Sequence, residues 1–325
     1  MDWTDMIGHA AIINRLRSGI ADDQFPHAVI FAGMRGIGKH TLAKITAAAL
    51  LCESHDGAPC GQCQSCRAIR AGTHPDLFEI APDTAAKQPV IRIGQIRQLL
   101  GGIALAPVLA DLRVIIIDDA HLMNNISQNS ILKTIEEPVG RSAFILVTDR
   151  RSDLLITLRS RCMTVNFERL TVEEIEQGLR AREVDEPDKI AALADGSLGR
   201  ALQLAQEGGL KLRAEVFDLI KRIDQMTVED IFALTEELSK QPRSFVADWL
   251  VCFQKFIRDM LIADTDAKLC NEDMRDELSA QRRVLSERSI FEFFERALET
   301  QKRLTSNADL RLICDSFFLK LKRSV

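Results

Sequence analysis

The sequence lacks the features that mark membrane proteins, secreted proteins and strongly basic nucleic-acid binders. No segment approaches the ~18 unbroken apolar residues of a membrane-spanning helix, and the N-terminal MDWTDMIGHAAI has no basic-then-apolar signal pattern. Lysine and arginine number 42 against 47 aspartate and glutamate, for a net charge of −5, so net charge provides no attraction to DNA. We therefore expect a cytoplasmic protein with no membrane partner, in which any DNA contact is local or shared with other chains.

Tyrosine is absent as well, yet apolar residues make up 46% of the chain and charged residues 27%, which is typical of a globular protein. Its 325 residues predict two or three domains. Short apolar runs alternate with amphipathic segments over 1–167, which favours a doubly wound α/β domain with a parallel sheet. The remainder has helical periodicity and predicts a small helical lid domain over 168–209 and an all-helical domain over 210–325.

Two local signals refine this division. The segment IRIGQIRQLLGGIAL has the periodicity of an amphipathic helix, which we expect to be interrupted at Gly101 and Gly102. Further along, Thr171 and Glu174 have the spacing of a capping box and predict the start of a helix.

A glycine-rich segment, GMRGIGKHT, lies between a predicted buried strand, AVIFA, and a predicted helix. Strand, loop and helix are the context in which the spacing G-x-x-x-x-G-K forms a phosphate-binding loop. Glycine lets the backbone amides turn towards a phosphate, and lysine supplies a positive charge. The candidate phosphate-binding residues are Gly33, Gly36, Gly38 and Lys39.

The position after the lysine, where a hydroxyl normally coordinates magnesium, is occupied by His40. Thr41 follows one residue later, but one helical residue is a rotation of about 100°, so its hydroxyl does not simply replace the missing one. A second apolar strand, VIII, ends in Asp118 and Asp119, where P-loop ATPases place a magnesium-binding aspartate and often a glutamate base. ATP and magnesium remain candidate ligands, and we expect weak or absent ATPase activity.

Four of the eight cysteines form a cluster with the spacing C-x7-C-x2-C-x2-C: Cys52, Cys60, Cys63 and Cys66. Four thiolates satisfy a tetrahedral zinc ion and leave no position for water, so the pattern predicts a structural zinc site. An iron–sulfur cluster and buried free thiols remain as alternatives. His55 and His74 lie near enough in sequence to compete as ligands.

A cysteine module directly after the phosphate-loop helix, followed by AGTHPDLFEIAP, SQNSILKTIEEP and TLRSRC, resembles the bacterial clamp-loader branch of the AAA+ ATPases. The resemblance runs from about Met6 to Ala201. It implies a P-loop AAA+ domain with an inserted zinc module, a helical lid and a C-terminal collar-type oligomerisation domain.

The resemblance also implies roles for three further residues. Arg161, within Ser160-Arg161-Cys162, matches an arginine finger that reaches nucleotide in a neighbouring subunit. Thr148 matches the sensor-one position and Arg200 the sensor-two position. The alternatives are a solvated surface arginine, a strand-capping hydroxyl and an arginine paired with a carboxylate.

The function implied by the resemblance is that of a structural, or stator, subunit in a hetero-pentameric ring with gamma or tau and delta subunits. Such a ring loads the sliding clamp of DNA polymerase III onto primer-template DNA during replication. Two other functions stay open. One is an active, gamma- or tau-like ATPase subunit. The other is a zinc-dependent DNA-binding module, for which only Arg67 and Arg70 near the cysteines offer basic charge.

Overall fold

The computed structural model describes residues 2–83, 89–103, 106–138, 140–206, 208–304, 306 and 308–324. The chain forms two compact units, Met1–Arg182 with Asp195–Arg200, and Glu183–Ala194 with Ala201–Val325. The three-domain division with boundaries at 167 and 209 remains a prediction. No helix among the described residues combines the length and the apolar character that a bilayer crossing requires.

The centre of the first unit is a sheet of five strands in the order β2-β3-β4-β1-β5, with every neighbouring pair parallel. Every residue of β1, β3 and β4 is buried, as expected for parallel strands covered on both faces. The strands are β1 (Ala28–Ala32), β2 (Leu77–Ile80), β3 (Arg113–Ile117), β4 (Ser142–Thr148) and β5 (Met163–Asn166).

Helices cover both faces of this sheet. Alternate strand residues such as Phe31 and Ile116 join one apolar core with α1 and α2, while their neighbours Ile30 and Ile117 join another with α4, α5 and α6. The predicted P-loop, doubly wound α/β fold is therefore confirmed. The helices up to residue 180 are α1 (Ala10–Ala21), α2 (Lys39–Leu50), α3 (Gln64–Arg70), α4 (Ile93–Ile103), α5 (Asn125–Glu136), α6 (Ile156–Arg159) and α7 (Val172–Arg180).

One local prediction was wrong and another is confirmed. Helix α4 runs through Gly101 and Gly102 without interruption, because a buried stripe that includes Ile96, Leu99 and Ile103 outweighs the low helix propensity of glycine. The capping box holds: Thr171 accepts a hydrogen bond from the backbone N–H of Glu174, whose carboxylate accepts one from the N–H of Thr171.

Beyond residue 167 the described part of the chain is helical, as its periodicity predicts. Phenylalanines form the interior of the second unit: Phe217 stacks on Phe256, and Trp249 on Phe253, with ring centroids 5.0 and 5.5 Å apart. The helices are α8 (Pro187–Leu193), α9 (Leu198–Gln206), α10 (Gly209–Arg222), α11 (Val228–Ser239), α12 (Arg243–Ile262), α13 (Arg275–Val284), α14 (Glu287–Leu304) and α15 (Leu310–Arg323).

Candidate functional site

The phosphate loop lies between β1 and α2, at the carboxyl edge of the sheet. Gly36 and Gly38 have φ values of +78° and +95°, a left-handed conformation that favours glycine. The N–H of Gly33 donates to the carbonyl of Thr148, the last residue of the neighbouring strand β4, at 3.2 Å. The glycines of the motif are thus explained by backbone geometry, and parallel pairing brings Thr148 to the same edge.

Lys39 is turned inward onto its own loop. Its side chain is buried, and Nζ donates to the carbonyls of Gly33 and Met34 at 2.7 Å each. Burial lowers the pKa of Lys39 and outweighs the opposing effect of nearby carboxylates, chiefly Asp149 and Asp119. A bound phosphate would offer this ammonium group an anionic partner in place of two neutral carbonyls.

His40 faces the strand aspartate across the loop. Its Nδ1 lies 3.2 Å from Oδ2 of Asp118, an ion-pair distance, and is buried without an aligned hydrogen bond. Thr41 is exposed. Because magnesium prefers an octahedron of oxygen ligands, a site with an imidazole beside Asp118 and no hydroxyl after Lys39 does not fit the ion that P-loop ATPases use.

The two carboxylates at the end of β3 have different settings. Asp118 donates its N–H to the carbonyl of Ile80 at 2.8 Å, and its Oδ1 accepts from the N–H of Asp119 at 3.0 Å. Asp119 has a left-handed backbone, φ 44°, and precedes a short 3-10 turn, Ala120–Leu122. Asp118 therefore continues the strand, whereas the chain turns away at Asp119.

His121 lies at this edge of the sheet and was not among the residues that the sequence indicated. Its side chain is only 5% exposed, and its Nε2 lies 3.1 Å from Oδ1 of Asp149. Its Nδ1 lies 3.3 Å from Oγ1 of Thr148, which also accepts from the N–H of Arg150 at 3.1 Å. The hydroxyl of Thr148 is thus already engaged by protein groups, and its sensor-one role stays a prediction. A histidine three residues after Asp118, and an aspartate directly after Thr148, are the signals that could have revealed the pair.

The segment that carries Arg200 closes over the phosphate loop. The N–H of Gly199 donates to the carbonyl of Gly36 at 2.8 Å, and the hydroxyl of Ser197 donates to the carbonyl of Arg35 at 2.9 Å. A Cβ on Gly199 would lie 2.8 Å from the Cα of Gly36. The structure thus brings Arg200 beside the loop through contacts of its neighbours that the sequence does not reveal, and its sensor-two role stays a prediction.

The four clustered cysteines converge, as their spacing predicts. All four Sγ atoms lie within 4.8 Å of one another, with the Cys52–Cys63 and Cys60–Cys66 pairs each 4.0 Å apart. A tetrahedral zinc ion with bonds of about 2.3 Å separates its sulfurs by about 3.8 Å, so the four residues fit such an ion. His55 and His74 are not members of the described cluster.

Backbone N–H groups donate hydrogen bonds to the sulfur atoms of this cluster. Three N–H groups, from Cys60, Cys63 and Cys66, each donate to the sulfur of another cluster cysteine at 3.3 Å. Backbone N–H groups of Gln62 and Cys63 lower the pKa of Cys60 to about 6, whereas burial raises that of Cys66. The module is tied to the N-terminus by Trp3, whose Nε1 donates to the carbonyl of Gly57 at 3.0 Å.

Arg161 lies at a corner between α6 and β5, with its side chain 38% exposed. Its Nε pairs with the carboxylate of Glu136, the last residue of α5. Its Nη1 donates to the carbonyl of Thr157 at 2.9 Å. Next to it Cys162 is buried in the apolar core, and that burial raises the pKa of its thiol to about 11. A buried cysteine thus anchors the corner, and the arginine beside it is presented to solvent.

Comparisons with known proteins agree with this architecture. A family model described as DNA polymerase III, delta subunit, matches residues 8–171. The chain is 32% identical to the delta-prime subunit of Pseudomonas aeruginosa over 70% of each chain. It is 26% identical to that of Bacillus subtilis over 96% of this chain and 95% of the relative. It is 34% identical to the tau subunit of Salmonella typhimurium over 63% of this chain, but spans only 33% of that relative.

A parallel sheet with a glycine-rich loop after β1 and carboxylates at the end of β3 defines a P-loop protein. The family model covers half of the chain, and the similarity to delta-prime subunits extends over most of their length. The chain belongs to the DNA polymerase III clamp-loader family, close to its delta-prime members. Its similarity to tau is of the same size, so identity alone does not separate a structural subunit from a motor subunit.

Proposed function

We propose that the chain is a delta-prime-type structural subunit of a bacterial clamp loader, assisting the ATP-driven loading of the sliding clamp onto primed DNA. The observation that carries this choice over a tau-like motor is the position of His40. The residue that should supply a magnesium-binding hydroxyl instead places an imidazole 3.2 Å from the carboxylate of Asp118. An ATPase without this metal site loses the ion that neutralises charge on the transferred phosphoryl group.

In this proposal Arg161 acts on ATP held by a neighbouring subunit. A guanidinium brought to the γ-phosphate from outside stabilises charge in the transition state and couples hydrolysis to assembly. The exposure of Arg161 and the anchoring of its corner by Cys162 support this role. Ser160 is the C-cap of α6 immediately before the arginine, so a short, ordered segment carries the group.

The proposed partners are those of the ring: gamma or tau as the hydrolysing neighbour, delta, and through the complex the sliding clamp and primer-template DNA. The all-helical segment 210–325 is the proposed oligomerisation domain and 168–209 the proposed lid. Replication of this kind takes place in the cytoplasm.

Zinc is the proposed occupant of the cysteine cluster. Cys52, Cys60, Cys63 and Cys66 would hold it as thiolates, and four sulfurs leave no open position for a substrate. The ion would supply folding free energy to the insertion and no chemistry to ATP.

Steady-state ATP hydrolysis by the purified chain, alone and in the reconstituted ring, tests the choice between structural and motor subunit. We expect no turnover above background from the chain alone. Turnover at a rate typical of motor subunits that Lys39→Ala abolishes would contradict the proposal and favour the tau-like alternative.

A further inference from the structure

We propose that the phosphate loop binds a nucleoside di- or triphosphate without a magnesium requirement, with the imidazole of His40 replacing the ion as the partner of Asp118. The inference rests on the proposed function only in treating the loop as non-hydrolysing. It concerns what the loop binds, and it is independent of what Arg161 does in a neighbouring subunit.

The parts that hold phosphate are present and already folded. Gly36 and Gly38 have the left-handed conformation that turns amides inward, and Lys39 begins a twelve-residue helix at the end of the loop. The ammonium group lies against two loop carbonyls at 2.7 Å. Helix N-terminal amides and a lysine bind phosphate oxygens without a metal.

The parts that hold magnesium are replaced. His40 Nδ1 lies 3.2 Å from Oδ2 of Asp118, so an ion on that oxygen would have a ring nitrogen among its nearest neighbours. Nitrogen is a poor ligand for magnesium, which prefers oxygen at about 2.0–2.1 Å. The hydroxyl of Thr41 is exposed and lies about 100° further round the helix, so it does not restore the missing ligand.

The charge at the loop supports the same conclusion. Three carboxylates, those of Asp149, Asp119 and Asp118, act on the ammonium of Lys39, and without a cation they would repel a polyphosphate. His121 lies 3.1 Å from Asp149, as His40 does from Asp118 at 3.2 Å. An imidazole nitrogen therefore lies at ion-pair distance from two of the three carboxylates.

The test is a titration of the full-length chain with ADP and with ATP by isothermal calorimetry, with and without added magnesium. Magnesium is omitted from metal-depleted buffer rather than chelated, so that a metal in the cysteine cluster is retained. We expect the dissociation constant of the wild type to change by less than about twofold on adding magnesium. Lys39→Ala should abolish binding in both buffers.

The variants His40→Ser and His40→Thr restore a hydroxyl and remove the ring. In both we expect weaker binding without magnesium and about tenfold tighter binding with it, which corresponds to about 1.4 kcal/mol. His27→Ser, at an exposed histidine before β1, is the matched control and should keep the wild-type pattern. Thermal melting confirms that each variant is folded. His40→Ser and His40→Thr should give the same result if the restored hydroxyl causes the effect.

Three results would overturn the inference. The first is no nucleotide binding by the wild type in either buffer, and the second is tenfold tighter binding by the wild type when magnesium is added. The third is a tenfold gain with manganese, which would show that His40 and Asp118 share an ion. None of them bears on Arg161. Failure of the proposed function would instead appear as independent ATP turnover, so the two failures are distinguishable.

Discussion

The phosphate loop and the arginine corner are both candidate sites for ATP chemistry, but they are built in opposite ways. The loop is closed by protein contacts: Lys39 on the carbonyls of Gly33 and Met34, His40 on Asp118, and Gly199 on Gly36. At the corner Arg161 pairs with Glu136 but remains partly exposed, on a segment anchored by buried Cys162. The difference teaches that the P-loop motif and the proposed arginine finger depend on different parts of the fold, the first on a folded loop and the second on an anchored corner.

The largest effect is expected in the cysteine cluster, which directly follows the helix that begins at Lys39. Cys63→Ser removes one of four metal ligands but keeps a hydroxyl that can cap α3, so the metal should be lost and the free energy of unfolding should fall by several kcal/mol. Metal analysis and chemical denaturation measure both, with Cys270→Ser as the control. Full metal content in the variant would refute a four-thiolate site.

Loss of the cluster also sharpens the comparison of the two sites. Because the cysteine cluster supports the end of α2, we expect Cys63→Ser to weaken nucleotide binding to the phosphate loop. The action of Arg161 in an assembled ring should change much less, since the corner lies between α6 and β5.

A smaller effect on stability is expected at Gly199, which packs against the phosphate loop at Gly36. In Gly199→Ala the new Cβ would lie 2.8 Å from the Cα of Gly36. Because Gly36 Cα is a backbone atom, this clash is relieved only if the loop shifts. We expect a loss of about 1–3 kcal/mol of stability and weaker nucleotide binding. Gly101→Ala is the control, since no atom lies within 4 Å of its Cβ position and alanine favours a helix. Equal stability of the two variants would show that the loop is not held by Gly199.

The pH dependence of stability tests the contact between Asp76, at the start of β2, and the segment that leads into β3. Asp76 is buried, and burial raises the pKa of its carboxyl, but N–H groups of Ala110, Leu109 and Val108 together outweigh burial, so the pKa lies below its ordinary 3.8. A depressed folded-state pKa contributes stability above the unfolded-state pKa, and this stability is lost as pH falls through the folded value.

Asp76→Asn should therefore be less stable than the wild type at pH 7, by about 1–3 kcal/mol. The difference should shrink as pH falls from about 5 to below 3.8, the ordinary pKa. Urea titrations across this range measure it. A stability difference that stays constant down to the lowest pH would contradict a charged, hydrogen-bonded Asp76.

The smallest effect concerns the partner of the arginine. Glu136→Ala removes the carboxylate that orients Nε of Arg161, and because exposed ion pairs contribute up to about 1 kcal/mol, we expect up to about fivefold lower ATPase in the reconstituted ring. Glu137→Ala, at the adjacent exposed glutamate, should have no effect. Glu136→Ala should also add nothing to Arg161→Ala, and an additive loss would mean that Glu136 acts independently.

The parts of this account that could be predicted from sequence are those set by local spacing. Apolar runs predicted the buried strands, the glycine spacing predicted the loop, and the cysteine spacing predicted the convergence of the four thiols. The pairing of His40 with Asp118, and of Ser197 with Arg35, could not be predicted, because tertiary packing alone brings residues so distant in sequence together. His121 was missed for a similar reason: it lies in the turn after β3, and its partners Thr148 and Asp149 lie at the end of β4.

The central claim is that this chain acts on ATP through Arg161 in a neighbouring subunit. The most direct measurement is clamp- and DNA-stimulated ATP hydrolysis by rings reconstituted with wild-type chain, Arg161→Ala, Arg161→Lys or Arg141→Ala, with ring assembly checked for each. Arg141 is an exposed arginine paired with Asp23 and is the matched control. We predict a loss of at least about a hundredfold for Arg161→Ala at unchanged assembly, partial activity for Arg161→Lys, and no loss for the control. ATP turnover by the Arg161→Ala ring within about twofold of wild type would contradict the claim.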